Sequence, residues 1–222
     1  LELKERYGLN IKLIRIPPGD VVAARNIGLK NASCKWILVW DSDFIARDNM
    51  CSYVKRLIFN ELDPNRYYLV YWPMIRICGD LFHTCTDPYH IEHWLYTWSP
   101  RLRYDRVGMH DSLIAPVYIY RAVMIDEPLG LHIFVRSPKR IAIKHLTWKR
   151  PWTRELMEKG LSIEEIAKKK ALELYGTEDL ELIGRMLMRE TVKGLPRYDK
   201  RLYGDYPSIL KDYIKKRYGI NL

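Results

Sequence analysis

A helical stretch that runs directly into an apolar strand ending in two acids constrains this chain more than anything else in it. Residues 21–32 have helical spacing, with Val21, Ala24, Ile27 and Gly28 on one side, and Lys35-Trp36-Ile37-Leu38-Val39-Trp40 follows as an apolar run. Such a run is expected for a strand buried in a parallel sheet. Gly28 is expected to let the helix pack closely on that sheet. The acids come next, as Asp41-Ser42-Asp43. Strand side chains at i and i+2 share a face, so Asp41 and Asp43 are expected to reach one small volume at the open end of the sheet. Two carboxylates there form a hard oxygen site suited to Mg²⁺ or Mn²⁺. The carboxyl end of a strand is also where an α/β protein would hold a diphosphate. The competing reading is a turn whose acids cap local N–H groups. The strand before them and Phe44 after them favour the metal.

The rest of the chain alternates strand and helix signals. Residues 10–16 alternate and read as a strand, and Pro17-Pro18-Gly19-Asp20 reads as a turn with Asp20 as N-cap. Residues 49–59 read as a helix. Residues 67–75 read as a strand that Pro73 places at an edge or bulge. Residues 78–100 are rich in His, Trp, Tyr and Pro and read as a functional loop with a short helix near 91–96. A hairpin is expected over 100–106 and 109–115 with Gly108 near the bend, then a short element over 119–126 and a strand over 140–145 ending in His145. Basic helices are expected over 152–175, 177–193 and 208–218, with a Pro/Gly/Tyr loop at 194–206. The class is α/β and Rossmann-like: a mixed, mainly parallel sheet flanked by helices. Residues 1–150 would form a catalytic domain and 151–222 a basic helical extension.

Composition narrows the partners without choosing one. A hydrophobic fraction of 48% over 222 residues supports a packed core and argues against global disorder. The net charge of +10 suits nucleic acid, an anionic membrane face or a phosphorylated substrate, and solvated basic helices explain most of it. Four cysteines, Cys34, Cys51, Cys78 and Cys85, lack a C-x-x-C spacing and read as reduced thiols. No apolar run reaches transmembrane length. The expected location is cytoplasmic, with the basic tail suited to peripheral contact with a membrane.

Four more groups can carry chemistry. Arg25 can point a guanidinium at phosphate, against the plainer reading of a surface ion pair, and Asn26 can satisfy loop backbone. Asp111, after His110 and beside Arg101, Arg103 and Arg106, can serve as a general base toward an acceptor hydroxyl or simply pair with an arginine. His145 can be a third ligand for Mn²⁺ beside two carboxylates. Cys78, His83, Cys85, His90 and His93 match no standard zinc spacing. The aromatics among them, Tyr89, Trp94, Tyr96 and Trp98, either stack on a sugar or pack the loop.

The run A-A-R-N-I-G-L-K-N-A followed by W-I-L-V-W-D-S-D resembles family 2 glycosyltransferases of the GT-A fold. The segments R-L-R-Y-D-R-V-G-M-H-D-S-L, I-A-I-K-H-L-T-W and L-P-R-Y-D-K-R-L-Y-G-D-Y-P are similar to later motifs of that family, in the same order. The resemblance implies metal-dependent, inverting transfer of a sugar from a nucleotide-sugar donor. It implies that Asp41, Asp43 and His145 hold Mn²⁺ or Mg²⁺ and that Asp111, in place of the usual Glu, is the base. Arg25, Asp41, Ser42, Asp43, Trp148 and Lys149 would bind the donor, and His110, Trp98 and Arg101 the acceptor: a glycan, a lipid-linked sugar or a protein. The family's opening strand-helix-strand, on the order of 30 residues, is expected outside these residues or from another segment. A catalytically inactive sugar- or partner-binding relative and a basic nucleic-acid-binding protein are the alternatives, nucleic acid being disfavoured because no recognition module stands in the sequence.

Overall fold

The computed structural model describes residues 6, 8, 10–16, 20–107, 110–148 and 150–222. The chain forms two compact units, each drawn from several stretches: Leu1–Leu38, Asn65–Leu69 and Leu95–Ala122 in the first, Val39–Pro64, Val70–Trp94 and Val123–Leu222 in the second. The acidic turn and the C-terminal helices belong to the same unit.

In the first unit, helix α1 (Val21–Asn31) begins where the sequence placed it, because the Asp20 carboxylate accepts the Ala23 N–H at 2.9 Å. No heavy atom lies within 4 Å of a Cβ built on Gly28, so close packing is not its role. Strand β1 is short (Trp36–Leu38), half-exposed and antiparallel to the end of strand β4 (Thr84–Thr97), with Trp36 opposite Thr97 and Leu38 opposite Leu95. The expected buried parallel strand is therefore corrected. Residues 10–16 form no strand either; Ile11 and Leu13 stay exposed, and alternation without a buried face does not hold a strand. The expected hairpin is present as β5 (Arg103–Val107) and β6 (His110–Ile114), with Arg106 opposite Asp111; its bend at Gly108 lies outside the described residues.

In the second unit the strand order is β4, β3 (Tyr67–Ile77), β8 (Gly130–Ile133), β2 (Phe44–Ala46), with β7 (Tyr120–Met124) also pairing β3. Strand β8 runs parallel to β3, Met74 opposite Gly130, and antiparallel to β2, Phe44 opposite His132. The sheet is thus mixed, not mainly parallel. Parallel neighbours need long crossovers, and the link between β3 and β4 is only residues 78–83. Pro73 sits inside the sheet rather than at its edge, at a handover. Tyr71 C=O accepts from Ile125 N–H beyond the end of β7, and pairing with β8 starts at Met74, so no ladder bond is asked of the proline nitrogen.

Two further segments change class. The aromatic-rich stretch is strand β4 rather than a loop with a helix, as aromatic side chains suit a pleated surface. The expected strand at 140–145 is helix α3 (Pro138–Thr147): Pro138 starts it, and Ala142 and Leu146, one turn apart, are buried against α5 (Ile163–Tyr175) and α6 (Leu180–Lys193). Helices α2 (Met50–Arg56, continued by a π-helical turn at Leu57–Glu61) and α8 (Ser208–Tyr218) fall close to expectation, while the helix expected over 152–175 is broken at Gly160 (φ 87°) into α4 (Pro151–Glu158) and α5, and a short α7 (Lys200–Tyr203) stands inside the expected loop. Helix α8 closes a core of Ile75, Ile77, Leu131 and Tyr206. Arg47 brackets the loop before it, donating to the carbonyls of Pro128, Tyr203 and Asp205. Among the described residues no helix is long and apolar enough to cross a membrane.

The cysteines do not all stay reduced. Cys78 and Cys85 form a disulfide across the β3–β4 turn, their Cα atoms 5.1 Å apart, while Cys34 and Cys51 are free and exposed. The turn makes that proximity: Cys78 N–H donates to His83 C=O at 3.0 Å, and Asp80 accepts from Phe82 N–H and contacts the His83 ring. A thiol titration of the native protein is expected to report two thiols, rising to four after reduction and unfolding. Four thiols without reductant would show the pair to be open.

Candidate active site

Strand β1 ends at Leu38, so Asp41 and Asp43 are not the tip of a pleated strand. They lie in a β-turn closed by Phe44 N–H donating to Asp41 C=O at 3.1 Å. Backbone also ties the turn to the sheet: Asp43 C=O accepts from Ile133 N–H at 2.7 Å. Beneath it, Phe44 packs edge-on against Trp94 and His132, with ring centroids 4.9 and 4.7 Å away. Ser42 is exposed; both acids are half-buried.

The imidazole that meets the turn is His132, on β8, and not His145. Its Nε2 lies 3.5 Å from Asp43 Oδ2, and the Arg136 guanidinium reaches the same oxygen at 3.5 Å. Burial pushes the His132 pKa below the ordinary histidine value, opposed chiefly by the Asp43 charge and in smaller part by Asp41. Both acids of the turn therefore act on one imidazole. On its other side, His132 Nδ1 is 3.2 Å from His90 Nδ1, and His90 Nε2 is 3.5 Å from Glu92 Oε2. Only one of the facing Nδ1 atoms can carry the shared proton. When His90 holds its proton on Nε2, toward Glu92, His132 donates from Nδ1 and turns a bare Nε2 toward Asp43. That is the arrangement in which a metal-ligating histidine is held by an outer partner.

His145 lies on a helix, exposed, with its Nε2 3.0 Å from the Tyr175 hydroxyl. Burial and the Arg150 charge hold its pKa down. Among the described residues no group of three or more His, Cys, Asp or Glu is placed to hold a metal, so Asp41, Asp43 and His145 do not form one. Trp148 is exposed with the Lys144 ammonium 4.6 Å from its ring centroid. Lys149 and the side chain of His110 lie outside the described residues.

The first unit brings together Arg25 and Asp111, in a half-buried ion pair. The guanidinium also lies 5.3 Å over the Tyr104 ring, and Tyr104 shares a 3.1 Å hydroxyl contact with Tyr96, whose pKa burial raises. Asn26 acts as a strand edge for Tyr104, donating to its C=O at 2.9 Å and accepting from its N–H at 2.8 Å. Trp98 donates from its indole to Leu29 C=O, and Arg101 to the Tyr118 hydroxyl. Trp94 and Tyr96 are buried, so they pack instead of offering a face to a sugar.

Sequence reasoning missed His132 and Arg136, since the Gly130–Ile133 strand was not recognised. The signal was present: Leu129, Leu131 and Ile133 around His132 are an apolar run with one histidine in it. Compared with known proteins, the chain matches no family model and no curated protein.

Proposed function

We propose that this protein is a glycosyltransferase that binds a nucleotide-sugar donor through a divalent cation at the Asp41-Ser42-Asp43 turn. The observation that carries the reading is the convergence of Asp43, His132 and Arg136 beside a half-buried Asp41. A carboxylate, an imidazole and a guanidinium there offer two ligand atoms and one anion-binding group. That set fits Mn²⁺ or Mg²⁺, which complete their coordination with water and substrate phosphate rather than with an all-protein cage. When bound, the ion neutralises charge on the leaving diphosphate. Arg136 adds a fixed positive charge for the same oxygens, and Asp43 orients it. His132 takes the place that the resemblance suggested for His145. Asp111 lies in the first unit, paired with Arg25, and is not part of this donor site.

The first test is thermal stabilisation by UDP-, GDP- and dTDP-sugars, with and without Mn²⁺. A ligand bound only by the folded protein raises the midpoint. A rise with one nucleotide that requires Mn²⁺ is expected, and no rise with any donor overturns the reading. The pH profile follows from His132. Protons compete with metal for Nε2, and burial holds the imidazole below its usual range. The Mn²⁺-dependent rise is therefore expected to be level at neutral pH and above, and to be lost only below about pH 6.5. Loss that begins on the alkaline side would remove His132 from the site.

A further inference from the structure

The second unit holds a cavity of about 410 Å³ between α3 and α6 that shares Arg136 with the proposed donor site and adds two cations to it. Arg136, Lys144 and Arg150 line it, Phe134, Trp148 and Met188 give it an apolar wall, and no carboxylate among the described residues faces it. Several helix cations elsewhere pair within one turn: Arg154 with Glu158, Lys159 with Glu155, Lys170 with Glu173 and Lys193 with Glu190. Helix α3 has no acidic residue at all.

At the cavity Arg136 has Asp43 as its partner, while the other two cations are placed but not neutralised. Among the described residues neither Lys144 nor Arg150 meets a carboxylate. The Lys144 ammonium is set over the Trp148 ring one turn along the helix, and the Arg150 guanidinium is steadied by donating to His145 C=O at 3.1 Å. Lys144 and Arg150 around one hollow repel, and a bound anion relieves that repulsion. The apolar lining suits an apolar body and offers little to a free ion.

We infer that this cavity binds a phosphate ester carried on an apolar or aromatic group. Arg136 lines the cavity and also reaches Asp43, so the bound phosphate shares an arginine with the acidic turn. The inference rests on the cavity and stands without the transferase reading.

The test is binding of geranyl phosphate, phenyl phosphate, inorganic phosphate and geraniol to the full chain, without metal or donor, followed by tryptophan fluorescence and calorimetry. Both esters, or one of them, are expected to bind more tightly than inorganic phosphate, and geraniol weakly. The tighter ester tells whether a prenyl or an aromatic body is preferred. Lys144→Ala and Arg150→Ala are each expected to weaken ester binding about tenfold; both side chains are exposed, so the fold is retained. Trp148→Phe identifies the fluorescence signal. Asp43→Ala is expected to leave ester binding in place while removing Mn²⁺-dependent donor binding, which separates this inference from the proposed function. Equal binding of inorganic phosphate, equal binding of geraniol, or ester binding that requires Mn²⁺ and Asp43 would overturn it.

Discussion

Asp43→Ala is expected to abolish the Mn²⁺-dependent stabilisation by a nucleotide sugar and to lower donor turnover by about 10²–10³-fold or more. The side chain is the point where His132 and Arg136 meet, each 3.5 Å from Oδ2. Its removal takes away a proposed metal ligand and frees the arginine from its anchor. The fold is expected to survive, because the turn is held by backbone: Phe44 N–H to Asp41 C=O and Ile133 N–H to Asp43 C=O. Ser42→Ala, at an exposed position, serves as the control and is expected to keep near-normal binding. His132→Gln should fall between them, losing about 10–100-fold in metal affinity. Turnover retained in a folded Asp43→Ala protein would remove the acidic turn from the chemistry and with it the proposed function.

The second large effect concerns stability. Gly184→Ala is expected to destabilise the second unit by about 3 kcal/mol or more. Two effects oppose each other there. Alanine favours a helix over glycine by about 1 kcal/mol. A Cβ on Gly184, however, would lie 1.9 Å from the Pro138 carbonyl oxygen and 2.6 Å from Pro138 Cα, so α3 must move off α6 to admit it. Backbone at the first turn of a helix cannot rotate aside as a side chain can, and the steric cost wins. The readout is a thermal midpoint lowered by about 6–12 °C. Gly28→Ala is the matched control: nothing lies within 4 Å of its Cβ position, so propensity alone should act and the midpoint should rise slightly. Equal behaviour of the two variants would mean that α3 and α6 do not pack as closely as described. Because α3 carries Lys144 and leads directly into Trp148, Gly184→Ala is also expected to weaken the phosphate-ester cavity.

Much of the fold was legible where the deciding signal was local. Asp20 capped α1 as expected, and the two hairpin strands and the helices Leu180–Lys193 and Ser208–Tyr218 appeared close to their expected places. The errors cluster where a short segment fits two classes. Residues 140–145 alternate as well in a helix as in a strand over so few positions, and Pro138 decided the matter by starting a helix. Residues 84–97 were hidden by their composition, since His, Trp and Tyr suggest a site before they suggest a strand. At the candidate site the two acids were legible and their partner was not. His145 drew attention because a motif surrounded it, while His132 sits in an apolar run with no motif.

The amino-acid sequence by itself determined the Asp20-capped start of α1, the hairpin, the closeness of two acids and the excess of positive charge, because each of these depends on residues within a few positions of one another or on composition alone. Only the tertiary structure decided which groups meet. Asp43 finds Arg136 across 93 residues, and Cys78 finds Cys85 because a turn folds back under His83. It also decided that β8 runs parallel to β3 and antiparallel to β2, which sets His132 opposite Phe44 and so beside the acidic turn. Those pairings follow from sheet register and from burying Trp72, Met74 and Leu131 together. Register between distant strands is a property of the whole core, and no local pattern encodes it.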